Sequence, residues 1–317
     1  RLVLELPLEL WNKFGRLSCV FMVCALAGCS SHNDALSANS KNMQPPSVVL
    51  ATPLQVTYQN ELALARLGQL LASNDLSSEQ RAALFYERGM MFDKVGLRTM
   101  ARIDFSRALR EKPDFAEAYN FIGVYLTQQQ DFDNAYDAFD SALELAPGYD
   151  YAYLNRGIAL YYAHRPELAV KDIKVFQQRK PDDPYRALWL FLTEAQVDQV
   201  AAMRSLNKVY DENKNGDWGW NIVKVYTGKL SAADFIRDIA DNTNSNRQLA
   251  EHLCEAYFYL AKLSQLQGNM DAADAYFKLS LSNNVFDFIE HRYALLELQM
   301  ANQAPNSYPA EMDFEAE

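Results

Sequence analysis

Residues 116–149 read AEAYNFIGVYLTQQQDFDNAYDAFDSALELAPGY, and the same skeleton stands 34 positions before and after them. Gly89, Gly123 and Gly157 keep that spacing, as do Ala101, Ala135 and Ala169, and Pro113, Pro147 and Pro181. Phe105 and Phe139 keep it with Ile173 third, and Ala108 and Ala142 with Phe176 third. Within one copy the apolar residues recur at helical spacing: Phe85, Gly89 and Phe92 in a first helix, Ala101, Phe105 and Ala108 in a second. Two antiparallel helices that approach closely need small side chains where they touch, which accounts for the Gly and Ala columns. Proline ends the second helix and opens the turn to the next copy. One hairpin cannot bury both of its faces, so copies at 82–115, 116–149 and 150–183 must stack into an all-α solenoid.

A 34-residue period with these residue types resembles the tetratricopeptide repeat. A weaker copy is expected at 254–287, where Tyr257, Leu260, Ala261, Ala273, Phe277 and Ser280 fill the same columns. Residues 184–253 have room for two degenerate helical pairs, with turn or cap signals at Asp217–Trp220 and Asn242–Asn246. An N-terminal helix over about 56–74 carries Leu62, Leu64, Leu67, Leu70 and Leu71. It is expected to cap one end of the stack or to pair with a second copy of the chain. Residues 288–302 form an amphipathic helix fit to cap the other end, which makes 51–302 one helical domain. The acidic, proline-containing segment 303–317 is expected to be disordered.

The net charge of −11 repels nucleic acid and anionic headgroups, so neither is an expected ligand of the body. Lys13 and Arg16 precede an apolar run, Leu17–Leu26, of secretory length, too short to span a bilayer permanently. Ala27 and Gly28 then lead into Cys29. This resembles the bacterial lipoprotein signal, and implies cleavage after 28, a diacylglycerol on the Cys29 thiol and an acyl chain on its amine. Those chains anchor stably, leaving the lipid as the only membrane contact. Ser30 is not the aspartate that holds such proteins at the inner membrane, which points to the outer membrane. Residues 29–50, rich in Ser, Asn and Pro, read as a flexible tether. Cys254 is then alone in the folded body and is expected to be a small buried hydrophobe.

Catalytic constellations are missing from the sequence. His32, His164, His252 and His291 are scattered without metal-ligand spacing, and no GxSxG or P-loop occurs. Ser205–Lys208 matches SxxK by chance alone. The expectation is a non-enzyme with no metal and no cofactor beyond the lipid. What the repeat resemblance implies is a groove lined by the first helix of each pair. Its columns hold Tyr86 and Met90, then Asn120 and Val124, then Tyr151, Leu154, Ile158, Tyr161 and Tyr162, the candidate partner-binding residues. The third set is apolar for a solvent-facing wall, so either an internal helix fills the groove there or a partner peptide does. Tyr86 and Met90 stand where carboxylate-clamp repeats carry Lys and Asn, which argues against that kind of reader.

Four further stretches, Tyr86–Gly89, Leu154–Tyr162, Trp218–Val223 and Glu290–Leu298, resemble the NlpI family of tetratricopeptide-repeat outer-membrane lipoproteins, over about residues 47–300. The resemblance implies a homodimeric, non-catalytic periplasmic adaptor. It would bring a tail-specific protease to a murein endopeptidase, gather other peptidoglycan hydrolases, and so restrain wall cleavage and influence cell division. The competing reading is an accessory lipoprotein of outer-membrane protein assembly.

Overall fold

The computed structural model describes residues 48–213 and 216–303. The signal sequence, Cys29, Ser30 and the segment from 304 onward lie outside the described residues. Over the described residues the chain is all-α, with thirteen helices and no strand. Helix α1 (Tyr58–Leu71) precedes three hairpins: α2 (Ser78–Lys94) with α3 (Arg98–Glu111), α4 (Ala116–Gln128) with α5 (Phe132–Leu145), and α6 (Asp150–Tyr162) with α7 (Pro166–Gln178). Ser77 starts α2 with a capping box, its hydroxyl accepting from the Gln80 amide (3.2 Å) while the Gln80 side chain accepts from the Ser77 amide (3.0 Å). Each hairpin turns on one left-handed residue at the 34-residue spacing, Gly96, Gln130 and His164 (φ 80, 60 and 56).

The glycine columns fix how closely the helices of a pair approach. A Cβ on Gly123 would stand 2.6 Å from the Phe139 ring, one on Gly89 2.8 Å from Phe105, and one on Gly157 2.6 Å from Ile173. Phe105, Phe139 and Ile173 are fully buried as a result. Ionic clips reinforce two of the hairpins. Arg88 Nε and Nη2 donate to Asp104 at 2.5 and 2.9 Å, and Arg156 repeats this on Asp172 at 2.7 and 2.7 Å. The middle hairpin has Ile122 and Ala138 in those places.

Among the described residues, the region 184–253 holds the two arms of a broken helix, two shorter helices and the start of a fifth segment. α8 (Pro184–Glu212) breaks at Asp198 (φ −151, ψ 98), whose carboxylate caps the second arm by accepting from the amides of Val200 (3.0 Å) and Ala201 (2.9 Å). α9 (Trp220–Tyr226) and α10 (Ala232–Asn242) follow. Then come α11 (Asn246–Leu266), α12 (Met270–Leu281) and α13 (Ile289–Gln303). α11 is 21 residues long against 13 for α4 and α6. Its extra turns carry Asn246, which clasps the Thr52 backbone through two 2.8 Å hydrogen bonds. The Tyr257 hydroxyl likewise donates to the Val49 carbonyl (2.7 Å) and accepts from its amide (3.1 Å). The expected tether therefore does not run to residue 50: by Val49 the backbone is fastened to α11.

α13 does more than close the end of the stack. It lies against the first helices of the three leading hairpins, where Tyr293 stacks on Tyr162 of α6 with centroids 5.3 Å apart. Arg292 makes a buried bidentate pair with Asp93 of α2, and the Tyr125 hydroxyl of α4 donates to the same carboxylate (2.5 Å). On its other side Lys262 of α11 donates to Glu297 at 2.5 Å, again buried. α1 contributes no fully buried residue, and Tyr58, Leu62 and Leu70 stay exposed.

Two alanine substitutions at helical glycines should differ in sign. Gly123→Ala should cost about 1–3 kcal/mol, because the Phe139 ring must move. Gly68→Ala in α1, where a Cβ meets nothing within 4 Å, should gain roughly 0.5–1 kcal/mol in urea unfolding. Asp93→Ala should cost about 3–5 kcal/mol in the same measurement, since it leaves the buried Arg292 uncompensated.

Candidate functional site

A cleft of about 590 Å³ opens between the first helices of the leading hairpins and α13. Tyr86 and Met90 of α2, Phe121 of α4, Tyr151 of α6, Trp189 of α8 and the Phe288 side chain before α13 all line it. That volume and aromatic lining suit a short peptide segment. The aromatic residues hold one another in place: Tyr86 packs on Phe115 (4.8 Å) and Phe121 (6.0 Å), and Tyr151 on Phe176 (6.1 Å). Arg186 lies 3.8 Å from the centroid of the Phe176 ring and donates to Asp150 (3.2 Å), which keeps its charge inside the wall.

The nine candidate residues divide into three groups. Tyr151 (56% exposed) and Met90 (40%) face solvent, and Tyr86 is half-buried at the rim. Asn120, Val124 and Leu154 are buried at the cleft floor. The Asn120 amide group is already engaged, donating to the Tyr149 hydroxyl (3.3 Å) and accepting from Asn155 (3.0 Å). Ile158, Tyr161 and Tyr162 are not available to a partner at all. They are 0%, 8% and 3% exposed, because α8, α11 and α13 pack over this end of the groove. Tyr161 meets the Trp189 ring edge-on (6.3 Å) and the Lys262 ammonium (4.8 Å). Of the two occupants left open by the sequence, the internal helix is the one present.

Glu255 and Glu290 were not singled out from the sequence, yet both line the cleft. The Tyr185 hydroxyl donates to Glu255 (2.9 Å), and the Tyr259 hydroxyl donates to Glu290 (3.2 Å). Burial, followed by the neighbouring Glu290 charge, holds the Glu255 carboxyl well above the usual carboxylate range. Burial pushes Glu290 up to about 7. The next residue, His291, is driven down to about 4 by burial and by Arg98 and Arg292, and Arg98 lies 3.0 Å from its Nδ1. The available signal was the run Glu290–Tyr293, charged residues inside an otherwise amphipathic helix. Among the described residues no group of three His, Cys, Asp or Glu side chains is placed to hold a metal ion. Cys254 is buried on α11, with its thiol pushed up by that burial.

Fold and cleft together define a helical-repeat protein with a peptide-sized groove. Residues 116–149 match the tetratricopeptide repeat family, so the chain contains a tetratricopeptide repeat. Among solved structures it is similar to a tetratricopeptide repeat protein from Parabacteroides merdae (19% identity over 76% of this chain and 91% of that one, TM-score 0.44). It is similar also to pilF of Pseudomonas aeruginosa (17%, 75% and 90%, TM-score 0.41). A third is YrrB, described as a repeat protein with an unusual peptide-binding site (13%, 72% and 96%, TM-score 0.41).

Glu290 gives the fold a measurable pH dependence. Its folded value near 7 lies above the unfolded glutamate value of about 4.3, so the native state binds the extra proton between them. Stability relative to Glu290→Gln should therefore fall as pH rises through that window. The variant should melt a few degrees above the wild type at about pH 8 and lose that advantage near pH 4. His291 contributes the opposite slope, but it does so in both proteins and drops out of the difference.

Proposed function

We propose that this chain is a non-catalytic protein-interaction scaffold that holds a partner's peptide segment in the cleft under α13. The observation that carries this reading is the apolar wall of Tyr86, Met90 and Tyr151 facing a volume of about 590 Å³. Anchoring follows from Leu26-Ala27-Gly28-Cys29: lipid on Cys29, sorting by Ser30 and residence at the periplasmic face of the outer membrane. With the NlpI-family stretches this gives an adaptor between peptidoglycan hydrolases, a murein endopeptidase among them, and a tail-specific protease, acting on wall degradation and division. Its means is local concentration, which raises encounter rates without new chemistry. Homodimerisation belongs to the same reading, with the exposed Tyr58, Leu62 and Leu70 on α1 as its surface.

Affinity capture from envelope extract tests it with three proteins: wild type, Cys29→Ser, and Met90→Ala/Tyr151→Ala. Wild type should fractionate with the outer membrane and retain murein enzymes. Cys29→Ser should leave the membrane, and the cleft variant should stay there, folded, with about tenfold less captured enzyme. Barrel-assembly proteins in place of murein enzymes would favour the accessory role in outer-membrane protein assembly. Unchanged capture by the cleft variant would move the binding surface elsewhere.

A further inference from the structure

Charge in the cleft is not balanced from within the chain. Six ionisable carboxylate and guanidinium side chains line it: Asp183, Arg186, Glu255, Asp287, Glu290 and Arg292. Neither cation reaches Glu255 or Glu290: Arg292 pairs with Asp93, and Arg186 with Asp150 (3.2 Å), the Phe176 carbonyl (2.5 Å) and, at 4.0 Å, Asp183. Asp183 caps α8 through the Tyr185 and Arg186 amides (3.0 and 3.2 Å) and pairs with Lys180 (3.1 Å). Glu255 receives the neutral hydroxyl of Tyr185, and Glu290 the neutral hydroxyl of Tyr259 and its own backbone amide; neither forms an ion pair among the described residues. The other charges that bear on Glu255 are carboxylates as well, Glu290, Glu251 and Asp217. The Tyr293 hydroxyl, fully buried among the same lining residues, has no hydrogen-bond partner.

A half-buried carboxylate and a fully buried one that repel each other within one cleft cannot both ionise cheaply, so they keep a proton or acquire a positive charge from outside. Aromatic rings around them favour a cation over a neutral polar group. We propose that the cleft selects a cationic side chain, lysine or arginine, from the partner segment. The charge sits at Glu255 and Glu290, and the aliphatic stem lies along the aromatic lining. The proposal rests on the scaffold reading and assigns its groove a chemistry opposite to that of a carboxylate clamp. Entry of the cation favours the ionised carboxylates, so binding releases protons and weakens on acidification. The groups that set this response are Glu251, Glu255 and Tyr259 on α11, Tyr185 and Arg186 on α8, Glu290 and Arg292 on α13, and Asp217 and Asp287 in the adjoining turns.

The test is calorimetry on the full chain in detergent with two capped tripeptides, acetyl-Leu-Lys-Phe-amide and its norleucine twin, which keeps the stem and lacks the charge. The lysine peptide should bind about tenfold or more tightly than its twin. That preference should vanish in Glu255→Gln/Glu290→Gln and shrink from about pH 8 to about pH 5.5, with proton release visible as a buffer-dependent enthalpy. The wild-type comparison needs no variant to fold. Equal affinity for the twins overturns the cation site and leaves the scaffold reading standing. Binding of neither peptide also overturns the site, and the scaffold reading is then judged by envelope capture alone.

Discussion

In each leading hairpin a bulky side chain rests on the bare backbone of a glycine, and that contact sets the spacing on which the rest depends. Phe105 on Gly89, Phe139 on Gly123 and Ile173 on Gly157 let the paired helices approach closely in all three copies. The same close approach within each pair lets successive pairs stack in register, and stacking aligns their first helices into one wall. The wall is where the cleft lies. A larger residue at the glycine would spread one hairpin and misplace its share of the lining, so the distance from local packing to the site is short.

α13 completes the cleft and is held to the wall by charge as much as by apolar burial. The Arg292–Asp93 pair and the Lys262–Glu297 pair are both desolvated, and each retains neighbouring hydroxyl or ring contacts that offset part of that cost. Such pairs specify position more than they add stability. An apolar helix could slide along an apolar wall, whereas two buried pairs on opposite sides of α13 fix both its register and its rotation. Glu290 is thereby brought into the cleft that Glu255 also lines, and the same placement covers Ile158, Tyr161 and Tyr162.

The repeats were legible because the contacts inside each hairpin lie within one period, so residue types recur at a constant interval. The turns were legible only in part. Gly96 announces a left-handed residue, but Gln130 and His164 adopt that conformation without a glycine to mark it. The Arg–Asp clips at 88/104 and 156/172 escaped notice because the middle copy replaces both partners with apolar residues. The break in α8 rests on one side chain, Asp198, which has no glycine or proline beside it. The site itself was legible at Tyr86, Met90 and Tyr151 and not beyond. Tyr162 meets Tyr293 across more than a hundred residues of chain, and no periodicity reports a contact of that range. For the same reason Glu255 and Glu290 look like surface residues of two separate helices until the fold puts them in one cleft.

The fastening of residues 49–54 also determines how the molecule bears force. Val49, Thr52 and Leu54 are bonded to Tyr257, Asn246 and Asn283, on α11 and just after α12. Tension applied to the backbone at residue 48 is taken up by these bonds first and passes directly into the C-terminal half. While they hold, α1 and the first hairpin stay slack, and tension passes between residue 48 and the cleft through α11 and α13 without stretching the helices between.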